Sequence, residues 1–162
     1  MGMNREVGLT VNDARTDEYR VVESATRLEP IPISDSEVIR VYQNLLVDGL
    51  QNHQFQPTLN QTDVSRKMTV EILEMNLTMD RGYFVDGIYA ESRIRVTVTR
   101  EDGQIVSTYR VKREEPYVGK FSTRFRQTVL NQTVSSVLTK LLNDRHLLTF
   151  LGEDQKGKNS EI

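Results

Sequence analysis

Two histidines, His53 and His146, are the side chains best suited to proton transfer or metal ligation near neutral pH, and neither has a second ligand at local spacing. A zinc site needs three or four such ligands, so both histidines read as surface or helix-end residues. The chain has no cysteine, which removes disulfides, thiolate metal sites and a thiol nucleophile while leaving the redox compartment open. No serine sits in a Gly-x-Ser-x-Gly elbow, and the nine glycines are scattered through turns instead of forming a phosphate cradle. Asp80 and Asp86 could pair for general acid–base work, but they lie beside Gly82 and Gly87, where turns need acidic residues anyway. The expectation is a protein that is not an enzyme, with no catalytic residue, no metal site and no cofactor.

The more informative cluster is basic. Asp102-Gly103 reads as the centre of a type I′ hairpin turn, so that Glu101 faces Gln104, Arg95 faces Arg110 and Arg93 faces Lys112. Arg93, Arg95, Arg110 and Lys112 then share the outward face of one hairpin, with like charges opposed twice. Each such pair destabilises a sheet by up to about 1 kcal/mol, so compensation is expected from Glu71 and Glu91, a neighbouring strand, solvent or an anionic partner. Nucleic acid is the least suited partner: no aromatics interleave with the cations, and 21 Lys and Arg stand against 23 Asp and Glu, a balance of -2. A second candidate contact is Tyr83-Phe84-Val85, three large apolar residues where a hairpin tip is expected. They either continue the strands beneath a helix or form an exposed anchor for another protein.

These residues depend on the elements that carry them. Val7, Leu9 and Val11 alternate with Gly8, Thr10 and Asn12, the period of a half-buried strand. Tyr19, Val21 and Val22 suggest a second short piece before Pro30 and Pro32 impose an extended connection. Ser34-Asp35-Ser36-Glu37 fits a capping box, and Val38, Val41, Tyr42, Leu45, Leu46 and Leu50 form one apolar stripe of a helix ending near Gly49 to His53. A short strand around Phe55 and a loop follow. From Lys67 to Arg113 the alternation is clearest, with a phase change at Ile72-Leu73 that a one-residue bulge would produce. Ile88, Ala90, Ser92, Ile94, Val96 and Val98 face inward on the next strand, and the return strand runs from Gln104 to about Arg113. A long helix from Ser122 or Thr123 to Asn143 carries the stripe Phe125, Val129, Leu130, Val134, Val137, Leu138, Leu141 and Leu142, and Asn143 or Asp144 caps a last helical turn closed by Gly152. The fold class is α+β: a twisted antiparallel sheet with two main helices packed on one face and a short C-terminal helical turn.

The 162 residues suit one domain, here 6–152, between a flexible start (1–5) and a flexible tail (153–162), with no internal repeat. No apolar run approaches the roughly 20 residues that span a bilayer, and the opening Met1-Gly2-Met3-Asn4-Arg5-Glu6 has no apolar signal region. Three Asn-x-Thr triplets, at Asn60, Asn76 and Asn131, read as chance, since two fall inside expected regular elements.

The run Val7-Gly8-Leu9-Thr10-Val11-Asn12-Asp13-Ala14-Arg15, the helix after Ser34-Asp35 ending in Leu50 with Phe55 beyond it, Met68 to Leu77, the strand around Tyr109, and Asn131 followed by Leu138 to Leu142, Asp144 and Leu147 together resemble the YajG-type family of uncharacterised bacterial lipoproteins. The resemblance runs from about Val7 to Leu151 and is weakest over Arg27 to Pro32. It implies a Gram-negative envelope protein on the periplasmic face of the outer membrane, held by an N-terminal lipid anchor that this chain lacks; a cytoplasmic homologue is the alternative. Asp13 and Arg15 match the family's recurring Asp-x-Arg, in physical terms a strand-end salt bridge or a turn. The family brings no catalytic residues. The expected function is a binding or docking module for an envelope protein or cell-wall component, with homo-oligomerisation left open. The alternative is a periplasmic carrier of a small apolar ligand in a pocket between helices and sheet, lined by Met68, Met75 and Met79.

Overall fold

The strongest alternation in the chain builds its longest strands. The computed structural model describes residues 3–16, 28–80, 86–117 and 122–154. In chain order the elements are β1 (Arg5–Asp13), β2 (Leu28–Ile31), α1 (Asp35–Asn52), β3 (Phe55–Leu59), β4 (Lys67–Asp80), β5 (Asp86–Arg100), β6 (Gly103–Tyr117), α2 (Thr123–Leu142) and α3 (Arg145–Gly152). The sheet order is β3-β1-β4-β5-β6, and β2 pairs with the far end of β4. The α+β class and the helices on one face are as the residue pattern predicts. The expected strand piece at Tyr19, Val21 and Val22 lies outside the described residues.

The sheet is mixed, not antiparallel throughout. β4, β5 and β6 form the expected meander, but β1 runs parallel to both its neighbours, pairing Val7 with Pro57 on β3 and Leu9 with Met68 on β4. α1 is the cause: a helical crossover returns the chain to the same end, so the next strand runs in the same direction. β3 flanks β1 only along Arg5 to Leu9 and β4 takes over along Gly8 to Asp13. The connection between them must therefore cross β1. It does so over Gly8: a Cβ there would lie 2.2 Å from the carbonyl oxygen of Gln61 and 2.7 Å from Val64 Cγ2. The Gly8 amide donates to the Arg66 carbonyl at 2.9 Å, and the Asn60 amide to the Leu9 carbonyl at 2.8 Å. Glycine is required here for the close approach of two backbones.

The register of β4 with β5 shifts between Ile72 and Glu74, which leaves Leu73 as the extra residue of the expected bulge. On the inner face Met68, Val70, Ile72, Met75, Ile94, Val96 and Val98 are buried against Tyr42, Leu46 and Leu50 of α1, Leu130, Val134 and Leu138 of α2, and Leu147, Leu148 and Leu151 of α3. α1 lies over β1 and β3, and α2 over β5 and β6. Within this layer the Tyr42 and Ser92 hydroxyls, both fully buried, bond to each other. Burial pushes the Tyr42 phenol far up, against the opposing Ser92 bond.

Ser34 and Asp144 cap α1 and α3 as expected, and Ser122, one of the two expected starting residues, caps α2. Ser34 Oγ accepts from the Glu37 amide at 3.3 Å, Ser122 Oγ from the Phe125 amide at 3.1 Å, and Asp144 Oδ1 from the Leu147 amide at 3.1 Å. The Glu37 carboxylate also takes Arg126 of α2 at 2.7 and 3.0 Å. Those bonds hold its carboxyl below the usual range, with burial opposing them. Gly49, near the end of α1, lies close against Leu142 at the end of α2. Start meets start and end meets end, so the two helices run side by side in the same direction.

Candidate functional site

One-sided burial leaves Thr69, Glu71, Glu74, Asn76 and Thr78 of β4, Tyr89, Glu91, Arg93, Arg95, Thr97 and Thr99 of β5, and the even-numbered residues from Gln104 to Glu114 of β6 on the outer face. Where β1 adds to this face, the crossing loop covers it at Gly8. Across β4 to β6 no described element packs over it. The mixed character of the face follows from strands that must be apolar on one side only.

Arg93, Arg95, Arg110 and Lys112 do share this face, but in a different register. Arg100 pairs with Gly103, so Arg93 faces Arg110, Glu91 faces Lys112, and Arg95 faces Thr108. Like charges thus oppose each other once instead of twice. The two-residue loop is Glu101-Asp102, with neither residue at positive φ, while Gly103, at φ 156°, opens the return strand. The slip is by two residues, which keeps every side chain on its own face. Apolar patterning is therefore blind to it.

The cations are not a bare strip. Glu71 stands opposite Arg95 and accepts from its Nε at 2.7 Å and its Nη2 at 2.8 Å. These two bonds hold the Glu71 carboxyl below its usual range, against a weaker effect of burial. Glu74, across the bulge, pairs with Arg93 at 2.7 Å, and Glu91 pairs with Arg110. With Lys67 and Asp80 at the two ends of β4, five carboxylates, Glu71, Glu74, Asp80, Glu91 and Glu114, match five cations, Lys67, Arg93, Arg95, Arg110 and Lys112, so the face is charged without being basic. Its exposed apolar members are Tyr89, 40% exposed, and Val106, 52% exposed. The Tyr83-Phe84-Val85 contact lies outside the described residues.

Elsewhere, Asp13-x-Arg15 is the strand-end salt bridge. The Arg15 guanidinium donates to Asp13 at 2.9 and 2.7 Å, to Asp35 in the first turn of α1 at 3.1 Å, and weakly to the carbonyls of Ile33 and Met75. Burial raises the Asp13 carboxyl, but the Arg15 bonds and charge outweigh it and hold the group below its usual range. The motif fastens the end of β1 to α1 and β4. His53 caps α1 through its backbone and His146 lies in the first turn of α3. Among the described residues no group of His, Cys, Asp and Glu is arranged to hold a metal. Met68, Met75 and Met79 are all buried on the inner side of β4.

Sequence reasoning missed an arginine cluster at the end of the sheet where β1 and β4 begin and β5 ends. Arg5 and Arg66 both hold Asp154, at 2.5 and 2.9 Å. Arg100 pairs with Asp102, donates to the Phe150 and Glu153 carbonyls at 2.7 and 3.0 Å, and stacks 4.3 Å from the centre of the Phe150 ring. The available signal was positional: each arginine stands at a strand terminus, where long side chains converge if the termini do.

A family model described as an uncharacterized lipoprotein matches residues 1–152. No curated protein matches the chain in sequence. Among solved structures, an uncharacterized protein is similar with a TM-score of 0.55 and 10% identity, covering 88% of this chain and 92% of its own. A minor lipoprotein from Acinetobacter baumannii is similar with a TM-score of 0.51 and 11% identity, over 94% and 97% of the two chains. A protein from Xanthomonas campestris follows with a TM-score of 0.50 and 9% identity, over 90% and 85%. At such identities the likeness carries the arrangement of strands and helices and nothing about activity.

Proposed function

The chain belongs to this family of uncharacterised lipoproteins, and on that premise we propose that it is a non-enzymatic docking module of the cell envelope. It meets another protein or a cell-wall component through the outer face of β4 to β6. The single observation that supports this most is that both long helices pack on the other face, while no described element covers this one. An open sheet face with alternating ion pairs and a few apolar side chains has the mixed polarity of non-obligate interfaces. The reading places the domain on the periplasmic side of the outer membrane. Envelope association follows from lipoprotein membership, and no helix among the described residues is long and apolar enough to cross a membrane.

The test is site-specific photo-crosslinking in cells. A photoreactive residue at Val106 or Thr108 should give a defined adduct that is missing when the same residue replaces the exposed Ser135 of α2. Equal adducts at all three positions, or none at the first two, would refute docking through this face.

A further inference from the structure

At the arginine cluster the chain forms a recess of about 130 Å³, lined by Ser65, Arg66, Arg100, Glu101, Asp102 and Glu153. That is room for roughly four water molecules, and with Glu101, Asp102 and Glu153 making half of its lining and Arg5 no part of it, the recess is a watered space beside the ion pairs. The three arginines of the cluster, of which Arg66 and Arg100 line the recess, differ in how they are used. Arg100 is fully engaged by Asp102, two carbonyls and the Phe150 ring, so it serves as a wall. Arg5 and Arg66 are held differently. Their side chains are each 18% exposed, whereas the Asp154 carboxylate that both grip is 71% exposed. The donors are fixed in the protein and the acceptor sits in water. Arg66 also donates to the Glu153 carbonyl at 3.3 Å, and its Nε is buried with no partner among the described residues.

Two largely buried guanidinium groups, one at the start of β1 and one just before β4, converge on a single carboxylate that sits in water. Each guanidinium presents a planar fork of donors that matches carboxylate or phosphate oxygens. We propose that Arg5 and Arg66 form an oxyanion site for a phosphate group, and that Asp154 occupies it as a displaceable intramolecular stand-in. Inorganic phosphate offers more acceptor oxygens and more charge than one carboxylate, and Ser65 lines the space beside Arg66. The phosphodiester of an anionic lipid headgroup presents the same pair of oxygens and single charge as the carboxylate it would replace, so the two sources share the fork-matching geometry and differ in charge.

The experiment uses the 162-residue chain and its Asp154→Asn variant, titrated with inorganic phosphate while the backbone amide signals of Arg5, Ser65 and Arg66 are followed. Asp154→Asn removes the competing carboxylate, and since exposed ion pairs are individually weak it should tighten phosphate binding by about threefold to tenfold. The Arg5→Gln/Arg66→Gln double variant should lose the response. Co-sedimentation with phosphatidylglycerol vesicles, compared with phosphatidylcholine vesicles, separates the two sources. Retention on the anionic vesicles alone assigns a lipid headgroup, and a saturable phosphate response without retention assigns a free oxyanion. If Asp154→Asn gives no saturable response to phosphate, or the double variant responds as the parent does, the site does not exist. Should the double variant fail to fold, the Asp154→Asn titration decides alone, because that side chain is too exposed for its change to unfold the domain.

Discussion

Replacing Gly8 by alanine tests the crossing loop, because the sign of the effect depends on whether the loop is there. Gly8 is not at positive φ, so at an open strand position a methyl group would be tolerated. It would then stabilise the domain by about 0.4–1 kcal/mol, by restricting the unfolded chain. In this fold the new Cβ would stand 2.2 Å from the Gln61 carbonyl oxygen and 2.7 Å from Val64 Cγ2. Val64 can rotate away, but Gln61 meets the methyl group with backbone. The loop must retreat by about 1 Å to reach ordinary contact. That retreat strains the bonds from Gly8 to Arg66 and from Asn60 to Leu9 that hold it down. Overpacking of this kind costs about 1–3 kcal/mol, which for a domain of this size lowers the thermal midpoint by about 2–12 °C. Urea unfolding and calorimetry measure it directly. A midpoint equal to or above that of the parent would show that the loop does not cross β1 at Gly8, and would remove the account of why β3 and β4 flank it.

Three further outcomes follow from the core, the caps and the outer face. Tyr42→Phe strands the Ser92 hydroxyl in the core and should cost about 1–3 kcal/mol, whereas Tyr42→Phe with Ser92→Ala should recover part of that loss; a double-mutant cycle by chemical denaturation gives the coupling. Asp13, Glu37 and Asp144 all have carboxyls below their usual range in the folded chain, the last chiefly through the Tyr109 hydroxyl at 2.7 Å. Their contribution is present above about pH 4 and is lost as the pH falls through the folded values. The thermal midpoint should therefore drop on acidification below about pH 4, and Glu37→Gln should flatten the drop. Arg95→Glu should lower the midpoint modestly by setting a carboxylate against Glu71, more in low salt than in high salt, and adding Glu71→Arg should restore it; an unchanged midpoint in low salt would show that the pair is not formed in solution.

Elements written in local periodicity were legible from residues alone. The Ser34 capping box, the stripes of α1 and α2, and the bulge at Leu73 all leave a mark within a few neighbouring residues. What local pattern cannot carry is which strand meets which. β1 reads as a half-buried strand in either orientation, and its parallel pairing is decided by the crossover through α1. The β5–β6 hairpin shows the same limit at finer scale: Ile94 is matched to an inward residue whether it meets Tyr109 or Val111, so only the turn and the charges choose. Asp102-Gly103 pointed to the wrong two-residue loop because its glycine supplies an unusual φ to the first residue of β6 instead of to the turn. The outer face was legible as a face, since alternation alone puts Arg93, Arg95, Arg110 and Lys112 together. Glu71 and Glu91 were legible as compensating carboxylates and do pair with Arg95 and Arg110, whereas Glu74 was not, because the bulge at Leu73 is what sets it opposite Arg93. Arg5, Arg66, Arg100 and Asp154 are spread over nearly the whole chain and become neighbours only when three strand ends and the exit of α3 are assembled.

The first strand of the chain is not at the border of the sheet; β3 and β4 grip it from either side. A pull applied through the segment preceding Arg5 would act along the strand, loading the bonds of both ladders together in shear rather than unzipping them one at a time. Extracting β1 from its Arg5 end would therefore require several bonds to give way at once, which makes the first strand a connection that resists pulling along its axis.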